Sequence, residues 1–166
     1  MTQTGYGTLL LILSVLLFLL PLPTWLMSLT PFWSLLVLYY WVIGLRSPWT
    51  WVWLLGLSLI LDWLESTVLG VHLCAFTVSL WLPFLDQRLL THASMERQIA
   101  WLMVVCGVYQ GVLIVLHGVL VGTVPWDAWI HLIIKVLITA MCWPWFYALL
   151  TQGLNLPAFS RKKVIR

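Results

Sequence analysis

Six long apolar runs, separated by short polar or turn-forming breaks, make up almost the whole chain. A spanning helix needs about 17–25 predominantly apolar residues. That length places spans at 7–26, 31–46, 50–69, 71–90, 98–122 and 128–151. The break between the third and fourth rests on Glu65, Ser66, Thr67 and Gly70. The pattern predicts an all-α integral membrane protein, a bundle of six transmembrane helices in one domain over 1–166 with a basic tail at 152–166.

The placement of basic residues gives the bundle an orientation. With both termini in the cytoplasm, the inner segments hold Arg46, Arg88, Arg97, Arg161, Lys162, Lys163 and Arg166. The outer segments, near 27–30, 67–71 and 123–127, hold no Lys or Arg. This is the asymmetry of the positive-inside rule, and an odd number of helices would break it. Tryptophans fall where an aromatic belt is expected: Trp25, Trp33, Trp126 and Trp129 at outer ends, and Trp49, Trp51, Trp101 and Trp145 at inner ones.

Composition agrees. Apolar residues make up 63% and charged residues 8%, against about 45–50% and about 25% in soluble domains. So few ionised groups cannot cover the surface of a soluble fold of this size. The net charge of +3 comes mainly from the tail, which marks a cytoplasmic end or touches anionic headgroups; no nucleic-acid role is expected. Cys74, Cys106 and Cys142 lie in apolar runs without metal spacing and are read as small hydrophobes. The N-terminus, without a basic leader region or an A-x-A site, is read as a retained first helix.

Polar residues inside the spans carry the candidate chemistry, because each costs about 2.5–3.5 kcal/mol at mid-helix and requires a partner or a purpose. On the third span Ser58, Asp62 and Glu65 fall within about 60° of arc at 100° per residue. On the sixth, Asp127, His131 and Lys135 follow at i, i+4 and i+8 and share a face. His117 and His72 complete an outward set. One expectation is structural: Lys135 pairs with Asp62 or Glu65 and sets helix register. The other is a polar site open to the outer face, for a ligand, a proton or a partner helix.

Catalysis is not indicated. The sequence has no H-x-x-E-H, serine–lysine pair, G-x-S-x-G or Gly-rich phosphate loop. Two carboxylates at i, i+3 are too few to hold a cation, and Asp127 with His131 lacks a local third metal ligand. No cofactor is expected. The fifth span instead carries a packing signal: Gly107, Gly111, Gly118 and Gly122 form two G-x-x-x-G pairs within about 60° of arc, flanked by Gln110 and His117. The helix laid against this groove is either internal or another protein's. Pro83 and Pro144 should bend their helices.

Read in order, the motifs resemble a known family. The first span ends in Leu20-Pro21-Leu22-Pro23. Pro31-x-Trp33 opens the second, which continues Leu35-Leu36-Val37-Leu38-Tyr39-Tyr40-Trp41. Gly56 leads to Leu61-Asp62, then Leu69-Gly70-Val71, and Trp143-Pro144-Trp145 precedes the basic tail. The chain is similar along nearly its whole length to the MreD family of bacterial rod shape-determining membrane proteins. It departs where that family carries a Gly-rich turn after the Asp and this chain reads Glu65-Ser66-Thr67.

The resemblance implies a non-enzymatic scaffold of the cell-elongation (rod) complex in the bacterial inner membrane. Its partners would be the periplasmic coiled-coil protein MreC, the actin-like MreB, and the glycosyltransferase RodA with its penicillin-binding transpeptidase; a homo-oligomer is also open. It further implies a fold similar to the substrate-binding S-components of vitamin transporters. The alternative function follows from that likeness: a small-molecule binding subunit using Asp62, Glu65, His131 and Lys135. An enzyme acting on a lipid-linked substrate is a third option.

Overall fold

A computed structural model describes residues 12, 15–16, 30–44, 49–65, 68–86, 89–90, 92–122 and 127–153. Among them are five helices and no strand: α1 (Trp33–Gly44), α2 (Trp49–Leu64), α3 (Val71–Leu85), α4 (Met95–Val121) and α5 (Asp127–Gly153). The all-helical expectation holds for the described residues. Most of the first expected span (7–26), the tail from 154, Arg46, Arg88 and the side chain of Trp49 lie outside them, as do Trp25 and Trp126.

α1 is apolar on every side and is buried on every side: Leu35 through Ile43 are all core residues. A helix without a polar face is stable only when wrapped by other elements or by lipid. Here it packs against α2, α3 and α5, while α2–α3, α3–α4 and α4–α5 pack as consecutive neighbours. The result is a row of four helices folded around a central short one. Phe32 and Trp33, at the start of α1, pack against the same core.

The exposed faces are apolar and the buried faces include the polar groups. On α2, Leu54, Leu57, Ser58, Leu61 and Asp62 are buried, whereas Val52, Leu55, Leu59, Ile60 and Trp63 point outward. On α5, Thr139 is buried, while Ile130, Ile133, Leu137, Met141, Trp145 and Leu149 are exposed. A water-soluble helix has the opposite arrangement; this one suits helices whose solvent is lipid. α4 and α5 are each long and apolar enough to cross a membrane, over Met95–Leu120 and Ala128–Leu150.

Helix ends differ from the expected boundaries for identifiable reasons. The 50–69 span stops at Leu64 and the next begins at Val71. Between them Gly70 adopts a left-handed conformation (φ 98°) that only glycine takes without strain. The 71–90 span stops at Leu85, where the amide of Asp86 bonds to the Leu82 carbonyl. Gly122 ends α4 in the left-handed conformation (φ 80°), its amide bonded to the Gly118 carbonyl. Pro83 and Pro144 lie inside α3 and α5.

Candidate polar site

Two polar clusters tie the bundle together, one near the start of α1 and one beside its middle. The first is built on Asp62, fully buried near the end of α2. Its carboxylate accepts the backbone amides of Gly70 at 2.6 Å and His72 at 3.0 Å, and Nδ1 of the His72 ring lies 2.8 Å away. Asp62 thus caps the first turn of α3 from the neighbouring helix, meeting backbone donors that α3 itself cannot satisfy. The other ring nitrogen of His72, Nε2, lies 3.4 Å from Glu65, whose side chain is 41% exposed. One imidazole therefore bridges two carboxylates.

Aromatic rings carry this cluster across the bundle. The Tyr109 ring on α4 lies 6.3 Å from His72 and stacks on Phe76 at 4.7 Å. Its edge contact with Phe32, at 5.6 Å, leads to α5, where Lys135 Nζ lies 5.3 Å from the Phe32 ring centroid. The geometry is a cation–π contact. Beside it the Phe32 amide donates to Thr139 Oγ1 (3.1 Å), and that hydroxyl donates to the Lys135 carbonyl (2.7 Å). The first orphan amide of α1 is thereby met by α5.

The second cluster centres on Gln98, buried in the first turns of α4. Its Nε2 donates to the carbonyls of Leu90 (3.3 Å) and Ala93 (3.5 Å), closing the α3–α4 connection. Its Oε1 accepts the indole N–H of Trp143 on α5 at 3.4 Å. Its backbone carbonyl accepts the hydroxyl of Tyr39 on α1 at 2.9 Å, and the Tyr39 and Trp143 rings meet edge to face at 5.0 Å. Three helices and a loop converge on one residue, through its side chain and its backbone carbonyl.

The expected pairing of Lys135 with Asp62 or Glu65 is corrected by this geometry: both carboxylates are held by His72, and Lys135 lies over Phe32. His72 reaches Asp62 across one short turn, whereas Lys135 approaches from α5 and its Nζ lies over the Phe32 ring. His117 and His131 are exposed on α4 and α5, and neither enters an ion pair among the described residues. Asp127 is the first residue of α5. The outward polar set is therefore not one cluster: Asp62, Glu65 and His72 meet, and Lys135 joins through aromatics.

The resemblance motifs divide in the same way. Asp62 and Gly70 are bonded to each other, Trp143 belongs to the Gln98 cluster, Pro31 and Trp33 open α1, and Pro144 lies one residue beyond Trp143. The glycine ridge is open: a methyl group built at Gly107 or Gly111 meets nothing within 4 Å. Gly122 is a helix terminator and does not extend the groove.

Comparison with protein families, curated proteins and solved structures finds no match to this chain. Its chemistry must therefore be read from the site alone. Among the described residues no three side chains of His, Cys, Asp or Glu converge as a metal site. Asp62 and Glu65 sit on opposite edges of the imidazole, so they cannot share an ion with it. A void of about 10 Å³ between α1, α2 and α3, lined by Val42, Thr50, Trp51, Leu54, Leu80 and Phe84, is no larger than one water and lies among mainly apolar groups. Gln98 and Thr139 were not singled out in the sequence. A polar residue within an apolar helix is the signal that would have found Thr139; Gln98, beside Glu96 and Arg97 at the start of its helix, carries no such signal.

Proposed function

We propose that the protein is a six-span scaffold of the bacterial inner membrane, acting in the rod complex that organises peptidoglycan synthesis, with MreC as its principal partner. Both termini face the cytoplasm in this reading, as the distribution of Lys and Arg requires. MreB, RodA and its transpeptidase would be reached through the same assembly.

One observation carries the reading. The buried polar groups are turned on one another, Asp62 and Glu65 on His72 and Gln98 on three elements, while the outer surface offers long apolar helices and an open glycine notch at Gly107 and Gly111. Such a surface suits close helix-to-helix contact within a bilayer, where small residues let backbones approach. Among the described residues it offers no polar groups converging on a pocket, which a substrate-binding subunit or an enzyme needs. The chemistry of the chain goes into holding its own helices.

The test is a detergent pull-down from native membranes of a rod-shaped bacterium. Wild type should bring down MreC, and Gly111→Leu should lose it while keeping the folded, monodisperse profile of wild type. The open space at Gly111 is what makes that separation of fold from binding expected. Failure of the folded wild type to retain any elongation protein would overturn the scaffold reading.

A further inference from the structure

The helices are unequal in a way that bears on where the membrane surface lies. At 1.5 Å per residue α2 and α3, with 16 and 15 residues, rise about 24 and 22 Å. The hydrocarbon core is about 30 Å thick. α4, with 27 residues, rises about 40 Å. Ring contacts fix the relative height. His72 and Phe76, in the first two turns of α3, meet Tyr109 of α4. The α2–α3 turn is therefore level with Tyr109 to within about one turn, roughly 5 Å.

Beyond Tyr109, α4 continues to Val121, about 18 Å further. That stretch is strongly apolar, and its Val115, Val119 and Leu120 are exposed. α5 also runs on, about 12 Å from Lys135 to Asp127, but with His131 exposed beside Trp129 and Ile130. If the apolar end of α4 lies in hydrocarbon, the turn lies well below the surface it reaches.

The turn itself is made for such a place. Val68 and Leu69 at its tip are 59% and 71% exposed. Backbone amides at membrane depth must find partners within the protein, because lipid supplies none. The amides of Gly70 and His72 find theirs in the buried Asp62 carboxylate, that of Glu65 in the Leu61 carbonyl, and that of Val71 in the Val68 carbonyl.

We propose that the α2–α3 turn is submerged at Val68 and Leu69, which contact acyl chains beneath the headgroups, and that the Asp62 cap is the device that permits it. The bilayer beside α2 and α3 then meets a protein edge shorter than the one beside α4 and α5. Lipid there must thin or tilt to match. The inference rests on the membrane reading above and extends it to the depth of one turn.

The experiment uses the full chain in lipid nanodiscs, with Cys74, Cys106 and Cys142 replaced by alanine. Single spin labels are placed at Val68→Cys and Leu69→Cys. Met141→Cys and Val119→Cys serve as apolar references on α5 and α4, and His92→Cys, exposed in the α3–α4 connection, as the aqueous reference. Collisions with dissolved oxygen and with a water-soluble nickel chelate report the surroundings. The turn labels should match Met141 and Val119, with nickel collisions lost. Turn labels that match His92 while Met141 stays lipid-like would overturn the submerged turn and leave the membrane reading standing. A water-like Val119 would overturn it too, because the end of α4 would then be a stalk above the surface. If Met141 also reads as water, the membrane reading fails with it.

Discussion

Replacing Asp62 by alanine removes one carboxylate and leaves three donors without it: the amides of Gly70 and His72 and the His72 ring. All lie where water does not reach Asp62, which is fully buried. A buried donor left unmet costs about 1–3 kcal/mol, and breaking a buried ionic pair by removing one partner costs about 3–5 kcal/mol. These describe the same loss and are not added, so Asp62→Ala should destabilise by about 3–5 kcal/mol, a factor of at least a hundred in the folding equilibrium. Asp62→Asn keeps one acceptor oxygen and should fall between alanine and wild type. Glu65→Gln alters a partly exposed contact at 3.4 Å and should cost less than about 1 kcal/mol. Reversible unfolding in mixed micelles, titrated with SDS and followed by tryptophan fluorescence, measures all three. An Asp62→Ala protein within about 1 kcal/mol of wild type would refute the argument, because the donors must then find other partners at no cost.

Gln98→Leu should destabilise by about 1–3 kcal/mol in the same titration, since the Trp143 indole N–H and the Leu90 and Ala93 carbonyls lose their shared partner. Trp143→Phe, which removes only the indole N–H, should cost less. Gly70→Ala should destabilise by about 1–2 kcal/mol through backbone strain at φ 98°, with no clash involved. Gly107→Ala, in a helix with open space at its Cβ, should be neutral or stabilise by up to about 1 kcal/mol. Equal effects at the two glycines would contradict the conformational account.

Most described helix ends fall within a few residues of the expected spans, because apolar runs and their breaks mark where an apolar helix can run. The expected ends at 69 and 90 both run past the helices, which stop at Leu64 and Leu85; at 69 the cause is an apolar turn. Val68 and Leu69 extend the hydrophobic run, while Asp62 and Gly70 end the helices by hydrogen bonding and backbone conformation. The polar residues were legible one at a time, but their partners were not. Spacing along one helix predicts which residues share a face; it says nothing of His72 returning on Asp62 across a turn, or of Lys135 lying over the Phe32 ring. Gln98 was passed over because a single amide near a helix start has no periodicity to reveal it. The G-x-x-x-G pattern was plain, yet no pattern shows whether a methyl at Gly111 would strike a neighbour.

The two polar clusters explain how an almost wholly apolar chain can adopt one arrangement. Within lipid, an exposed leucine and a leucine facing another helix differ little in free energy, so apolar burial does not select which helices meet. Close packing and a few directed hydrogen bonds must do so. Here the bonds fall at the start and the middle of the central helix: Phe32 to Thr139 at its start, and Tyr39 to the Gln98 carbonyl midway along. Each joins α1 to one of the two long helices, α5 and α4, and His72 with Asp62 joins α2 to α3. Those links fix the neighbours of α1 through α5 without using the outward faces of α4 and α5. The scaffold proposed above requires that separation. If the same exposed leucines and valines also determined the fold, exchanging lipid for a partner helix would disturb the bundle that presents them. With the fold held by interior polar contacts, the apolar exterior can exchange lipid for protein while the bundle stays unchanged.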